Sequence, residues 1–182
     1  MHSGVTRRLL GLGLVAGSTS CASAQSVAVE PPPALDQRLT PISRFVGRWR
    51  GTVTGEPGTG TVERTYAPIL AGKFIEERNA SRYVSGEVHH HIAYWSFDRR
   101  RSRFVLRQFH VESFVNQFVA TTAEFVGGRL VIDSESIENI PPGFRARETY
   151  VFDGENSFDK LFEIAEPNGE FSLYSHNRFR RA

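Results

Sequence analysis

The stretch from residue 86 to residue 110, GEVHHHIAYWSFDRRRSRFVLRQFH, contains two segments rich in β-branched and aromatic residues on either side of a polar turn. These segments predict strands at 87–97 and 103–112, joined by a tight connection through DRRRS. Strands joined in this way pair antiparallel, and opposed residues lie on the same face of the sheet. The predicted opposed pairs are Phe97 with Phe104, Trp95 with Leu106, Ala93 with Gln108 and His91 with His110.

The same alternation of strand-forming segments and turns continues along the chain in both directions. Further strands are predicted at 48–55, 60–67, 73–83, 115–124, 129–137, 144–152, 158–166 and 171–180, separated by turns such as EPGTG, PILAG and DGEN. Ten strands with almost no helical periodicity favour a closed barrel, because closure leaves no unpaired edge. We therefore predict an all-β fold, an antiparallel up-and-down barrel of about ten strands, with one helical turn around LTPISRFVG.

Residues 1–24 have the composition of a secretory signal peptide. Arg7 and Arg8 precede a mild apolar run, and Ala22-Ser23-Ala24 is a small-x-small cleavage signal. The order TRRLL further resembles a twin-arginine signal. The apolar run is shorter than the roughly 20 residues that a membrane-spanning helix needs. We expect cleavage near Ala24 and a periplasmic or secreted protein, with lipid anchoring at Cys21 as the alternative.

Removal of this segment would change the chain that has to be explained. It would leave 158 of the 182 residues, with 20 of the 22 Lys and Arg against 20 Asp and Glu, so the formal charge would fall from +2 to zero. A nucleic-acid-binding domain is expected to be basic, so that class is disfavoured. Cys21 is the only cysteine, so the mature chain would have no disulfide. Pro31-Pro32-Pro33 predicts an extended linker over 25–40 and a barrel domain over 41–182.

Both ends of the predicted barrel carry a pattern that resembles the calycin barrels. Gly47-Arg48-Trp49 opens the first strand, and Arg178, Arg180 and Arg181 lie at the end of the last. In calycin barrels a Gly-x-Trp on the first strand packs across the barrel floor near a late arginine. The segments FVGRWRGTVTGEPGTGTVERTY, ENIPPGFRARETY and YSHNRFRR also look like bacterial domain-of-unknown-function families (DUF 1579 and relatives) grouped near nitrobindin and the fatty-acid-binding proteins. The resemblance implies an internal cavity and no established activity.

One face of the hairpin at 87–112 collects residues of the type that bind metals. Glu87, His89, His91, His110 and Glu112 would supply three imidazoles and two carboxylates, which suits zinc or a similar divalent ion. The opposite face is also mixed, and a register slip of one residue would exchange the faces, so the pattern does not decide which face points inward. The candidate metal ligands are His89, His91 and His110. Polar lining of a cavity, or an exposed surface, is the alternative.

His176 is a candidate haem ligand only through the resemblance, since nitrobindin-like barrels bind haem through a histidine on a late strand. Its predicted companions on that face are Tyr174, Arg178 and Arg180, which would form a more polar pocket than haem prefers. The alternative is a histidine that bonds to a neighbouring strand.

A further group is suggested by the fatty-acid-binding proteins, which hold a ligand carboxylate with buried arginine and tyrosine. Arginine suits this role because its planar guanidinium grips carboxylates, and aromatic side chains supply the pocket wall. The candidate ligand-binding residues are Arg145, Arg147, Tyr150, Tyr174, Arg178 and Trp95. The alternative for the arginines is ion pairing on the outer face.

These observations favour a binding protein over an enzyme. The sequence has neither a GxSxG elbow nor a complete phosphate-binding loop. We expect an exported barrel that binds a small amphipathic or apolar molecule in its interior, with no cofactor, no nucleic acid and no integral membrane span. A metal- or haem-binding barrel, with or without catalytic activity, is the first alternative, and an interaction module that uses the barrel exterior is the second.

Overall fold

The computed structural model describes residues 33–182. The predicted signal peptide, Cys21 and most of the predicted linker lie outside the described part, and export stays a prediction. One 3-10 helix precedes ten strands, as predicted, and most strand ends fall within two residues of the expected positions. The elements are η1 (Gln37–Phe45), β1 (Gly47–Gly55), β2 (Gly60–Ile69), β3 (Phe74–Tyr83), β4 (Val88–Asp98), β5 (Arg103–His110), β6 (Val115–Ala120), β7 (Arg129–Glu138), β8 (Arg145–Phe152), β9 (Ser157–Ala165) and β10 (Ser172–Arg181).

The strands form a closed up-and-down barrel in which each strand pairs antiparallel with its neighbours in sequence. Closure comes from the pairing of β1 with β10. Gly51 permits this contact, because a Cβ at its position would lie 1.9 Å from the carbonyl oxygen of Arg178. Between β4 and β5 the predicted register is confirmed, including His91 opposite His110. The face of this hairpin that carries Ala93 and Trp95 is buried and points inward.

Helix η1 closes one end of the barrel. Asp36 caps it by accepting a hydrogen bond from the backbone N–H of Arg38. Leu39, Ile42 and Phe45 are buried, and their spacing of three residues matches the three residues per turn of a 3-10 helix. The helix therefore begins inside the segment expected to be linker, because its first turn already contributes to the core.

The floor of the barrel confirms the predicted role of the Gly-x-Trp motif. The Trp49 indole N–H donates to the carbonyl oxygen of Phe45 at 2.7 Å. The guanidinium of Arg181 lies 4.3 Å from the centre of a Trp49 ring and donates to the carbonyl oxygens of Val46 and Arg44. Arg181 is thus the member of the late arginine cluster that packs on the tryptophan and ties η1 to β10.

Aromatic side chains fill the half of the barrel next to η1. Phe45 is fully buried, and its ring contacts those of Tyr66, Trp95 and Tyr150 at centroid distances of 5.2, 5.5 and 5.0 Å. Since this half is packed solid, any space for a ligand must lie toward the other end. None of the helices in the described range is long and apolar enough to cross a bilayer.

Candidate functional site

A cavity of about 460 Å³ occupies the end of the barrel opposite η1. Its lining includes residues of the turns that join β1 to β2, β3 to β4, β5 to β6 and β7 to β8. Its volume falls within the range of about 300–1,000 Å³ that is usual for small-molecule sites. The barrel therefore has the internal cavity that the resemblance implied, and ten strands are enough to enclose such a space.

The wall of the cavity has a polar side and an apolar side. Strands β3 to β6 supply the polar side with Asn79, Ser81, His89, His91, His110 and Asn116. The apolar side comes from the end of β7, the loop that follows it, and β9, and consists of Ile137, Ile140, Pro141, Phe144, Phe162 and Ile164. A molecule bound here would contact hydrogen-bonding groups on one side and hydrocarbon on the other.

Only Tyr174 of the predicted ligand-binding residues lines this cavity. A β-bulge between Leu173 and Ser175 interrupts the alternation of β10 at this point, and both Tyr174 and Ser175 reach the cavity. Trp95 and Tyr150 are fully buried in the core below it. The Trp95 indole N–H donates to a carboxylate oxygen of Glu77 at 3.1 Å, so its polar end is already occupied.

The three predicted ligand-binding arginines do not reach the interior, which corrects that expectation. Arg145 and Arg147 alternate with the buried residues of β8, so their side chains project outward. Arg147 pairs with Asp133 at 2.7 Å, and both arginines contact the ring of Phe171. Arg178 is likewise exposed on the outer face of β10.

His176 also lies on the outer face, because the buried residues of β10 are Asn177 and Phe179. Its Nε2 is 3.3 Å from a carboxylate oxygen of Asp159 on the neighbouring strand. It does not line the cavity, so the residues present do not fit a haem that His176 would hold inside the barrel.

The buried cations are instead Arg64 and Lys160, which the sequence analysis did not single out. Arg64 pairs with Glu77 at 3.0 Å, and both side chains are almost fully buried. Lys160 pairs with Glu148 at 2.6 Å in a similar environment. Both cations line the cavity. The sequence did contain a signal that Arg64 is buried. Arg64 alternates with Val62 and Tyr66 along β2, which places it on the same face as these two core residues.

These pairs fix the charge state of the barrel interior. Burial by itself would raise the pKa of Glu77, but the guanidinium of Arg64 and the hydrogen bond from His91 hold it well below its usual value. Burial lowers the pKa of Lys160, and Glu148 opposes that change. Because each cation has its own carboxylate, neither is an unpaired charge that calls for an anionic ligand.

The three predicted metal-ligand histidines come together on the polar side of the cavity. One nitrogen from each ring of His89, His91 and His110 lies within 4.8 Å of one from each of the others. Nδ1 of His89 is 2.7 Å from a carboxylate oxygen of Glu112, and Nε2 of His91 is 2.8 Å from one of Glu77. We call these three residues the histidine cluster. Glu87 lines the cavity but is not part of the cluster.

Burial keeps two members of the histidine cluster uncharged. It lowers the pKa of His91 to about 4, despite the opposing effect of Glu77, and that of His110 to about 2. At neutral pH both rings therefore carry a lone pair on one nitrogen. Such nitrogens accept hydrogen bonds or bind metal ions.

The burial of His91 predicts an acid-sensitive fold. Its folded-state pKa of about 4 is below the ordinary 6.5, so the unfolded chain binds the proton more readily, and stability falls as the pH drops from about 6.5 to about 4. The contribution of His91 to the loss of unfolding free energy on acidification amounts to about 3 kcal/mol at most.

In urea unfolding at pH 7 and pH 4.5 with a chelator present, His91→Gln should lose less stability on acidification than the wild type. His90→Gln, a change on the exposed neighbour, should behave as the wild type. An equal pH response in His91→Gln and the wild type would contradict the assignment.

The site and the fold together define a closed, ten-stranded antiparallel β-barrel with an interior cavity. Its fold is similar to that of the crystal structure of Rv2717c from M. tuberculosis, with a TM-score of 0.67 and 17% sequence identity over 82% of this chain and 99% of that one. That similarity concerns the fold alone. The chain also aligns with EF1p2_mFAP2b bound to DFHBI, with a TM-score of 0.44 and 10% identity over 78% of this chain and 96% of that one. It aligns with the redesigned β-barrel b11L5F_LGL with a TM-score of 0.42 and 11% identity over 77% of this chain and 93% of that one. Both structures are too distant to bear on function. No family model and no curated protein matches the sequence.

Proposed function

We propose that this protein is a binding protein that takes a small amphipathic molecule into the end of the barrel opposite η1. The division of the cavity wall into a polar and an apolar side is the observation that carries the proposal. Pockets that bind small molecules combine extensive apolar surface with a few directed polar groups, and this wall has both.

The polar side favours an uncharged or weakly charged head group in the metal-free protein. Arg64 and Lys160 are already paired, so a ligand carboxylate would compete with Glu77 or Glu148. Asn116 and Asn177 line the cavity, and the buried amide oxygen of each has no hydrogen-bond partner. A hydroxyl or amide group that donates to one of them would recover the free energy that an unpaired buried acceptor costs.

The apolar side would hold the hydrocarbon part of the ligand. Phe162 is central to it, since its ring packs edge-on against Tyr174 at 5.9 Å and both residues line the cavity. Shortening this side chain removes apolar contact surface from the ligand. It also removes the contact of the ring with Lys160 at 5.3 Å, but both members of the Lys160–Glu148 pair stay in place. Phe162 is therefore the most direct position at which to test the proposal.

Chain-length-matched probes, decanol and decanoate, test this function in chelator-treated protein. We expect both to displace an environment-sensitive apolar dye, with decanol bound more tightly than decanoate. Phe162→Ala should weaken decanol binding about tenfold, because a lost aromatic contact of about 1–2 kcal/mol corresponds to that factor. The matched control is Phe109→Ala, which truncates a half-exposed ring on the outer face.

Equal decanol affinity in Phe162→Ala and Phe109→Ala would contradict interior binding, as would the absence of dye binding in the wild type. Arg147→Ala and Arg178→Ala should leave the affinity unchanged, because both side chains lie outside the barrel.

A further inference from the structure

We propose that His89, His91 and His110 bind a divalent transition-metal ion such as Zn²⁺, with an open coordination position toward the cavity. Three imidazoles from two adjacent strands are a ligand set that suits Zn²⁺ and similar ions. This inference rests on the proposed function only in one respect, namely that the open coordination position faces the proposed ligand. The metal site itself consists of protein groups alone.

The spacing of the ring nitrogens already approaches that of a metal site. Zinc–nitrogen bonds of about 2.0–2.1 Å in tetrahedral geometry place two ligand nitrogens about 3.3–3.4 Å apart. Nδ1 of His110 and Nε2 of His89 are 3.4 Å apart. One nitrogen from each ring lies within 4.8 Å of the others, so the cluster would have to contract by no more than about 1.4 Å for all three to bind one ion.

Two carboxylates hold the histidines as outer-sphere partners hold metal ligands. A ligating histidine usually donates its second ring N–H to a carboxylate or carbonyl, which fixes the tautomer and the ring orientation. Glu112 is hydrogen-bonded to Nδ1 of His89, and Glu77 is hydrogen-bonded to Nε2 of His91. The nitrogens that no carboxylate contacts are therefore Nε2 of His89, which lies 3.4 Å from Nδ1 of His110, and Nδ1 of His91.

His91 supplies an independent indication that something is bound here. Its side chain is about 95% buried, yet Nδ1 has no hydrogen-bond partner. Buried polar atoms are nearly always paired, so an unpaired nitrogen within a cluster of ligand atoms points to a missing partner. A hydrogen bond between His89 and His110 would explain those two rings but would leave this nitrogen unpaired.

Two carboxylates contact the histidine cluster. Glu112 lies 2.7 Å from His89, and Glu77, which is itself paired with Arg64 at 3.0 Å, lies 2.8 Å from His91. A divalent ion would thus have two carboxylates in its outer sphere. This arrangement raises the basicity of the imidazoles toward the metal.

Three protein ligands leave at least one coordination position free, as in zinc sites that exchange their fourth ligand. All three histidines line the cavity, so this position faces the space proposed to hold the small molecule. A bound metal would then provide what the paired Arg64 and Lys160 do not, namely a positive centre for a carboxylate or another oxygen-donor head group.

Calorimetric titration of Zn²⁺ into untagged, chelator-stripped protein is the test. We expect one ion per chain in the wild type and in His90→Ala, whose histidine is exposed on the opposite face. His89→Ala and His110→Ala should each weaken binding by more than about 100-fold, since loss of an outer partner alone costs about 10–100-fold. Glu112→Gln should weaken it by about tenfold. Circular dichroism and thermal unfolding establish that each variant is folded.

A second readout uses Co²⁺, whose visible absorption reports tetrahedral nitrogen coordination. We expect these bands in the wild type and in His90→Ala and their absence in His89→Ala and His110→Ala. Folded His89→Ala and His110→Ala variants that bind Zn²⁺ as the wild type does would overturn the proposal, as would a wild type that binds no ion at micromolar concentration.

The same protein separates the metal site from the proposed ligand site. Zn²⁺ should increase the affinity for decanoate in the wild type and not in His110→Ala. Phe162→Ala should weaken decanol binding and leave the Zn²⁺ titration unchanged. A protein that binds Zn²⁺ but neither the dye nor decanol would overturn the proposed function alone. A protein that binds the dye and decanol but no Zn²⁺ would overturn the metal site alone.

Discussion

Replacing Glu77 by glutamine is expected to lower the free energy of unfolding by about 3–5 kcal/mol, the range typical when one partner of a buried ion pair is removed. The change would leave the guanidinium of Arg64 almost fully buried without its carboxylate at 3.0 Å. It would also replace one of the two carboxylate oxygens that contact the His91 ring and the Trp95 indole N–H with an NH2 group, which cannot accept a hydrogen bond. Most of the loss would come from the uncompensated charge, because an amide oxygen remains available as an acceptor.

Urea unfolding in the presence of a chelator measures this loss. Glu63→Gln is the matched control, since Glu63 lies on the neighbouring strand in an exposed ion pair with Arg50 and should change stability by less than about 1 kcal/mol. The double variant Arg64→Met/Glu77→Leu removes both charges and should recover much of the stability lost by Glu77→Gln. A Glu77→Gln variant as stable as Glu63→Gln would show that the pair is not buried as described.

Phe45→Ala is expected to be similarly damaging, with a loss of about 3–5 kcal/mol. Phe45 is the last residue of η1, and its fully buried ring packs among Tyr66, Trp95 and Tyr150. Truncation would leave a void in the half of the barrel that is packed solid. The neighbouring strands cannot collapse to fill it, because closure of the barrel fixes their separation.

The test is thermal and urea unfolding of three variants, Phe45→Ala, Phe45→Leu and Phe109→Ala. Their comparison distinguishes the loss of core packing from the general effect of losing a phenylalanine. Phe45→Leu keeps most of the volume and should cost clearly less than Phe45→Ala. Phe109→Ala, on the outer face, should change the unfolding free energy by about 0.5 kcal/mol or less. Equal losses for Phe45→Ala and Phe109→Ala would contradict the role of η1 as the plug of the barrel.

The strand pattern and its turns were available from the sequence because both depend on local physics. The DRRRS turn sets the register of β4 against β5, and this register brings His91 opposite His110 as predicted. A contact between Trp49 and the late arginine cluster was predictable for another reason, since the resemblance to calycin barrels implied it. The structure identifies Arg181 as the arginine that makes it.

Tertiary structure decided which of those residues face the interior. The face that carries His89 and His91 and the opposite face of β4 are both mixed, so composition does not distinguish them, whereas closure around the packed rings of Phe45 and Trp95 does. The same closure turns Arg147 and Arg178 outward and Arg64 inward. Tyr174 reaches the cavity only because a bulge interrupts β10. A charged residue in a strand is equally compatible with either side of a sheet, and its partner on the neighbouring strand, such as Glu77 for Arg64, becomes identifiable only when the strands are in place.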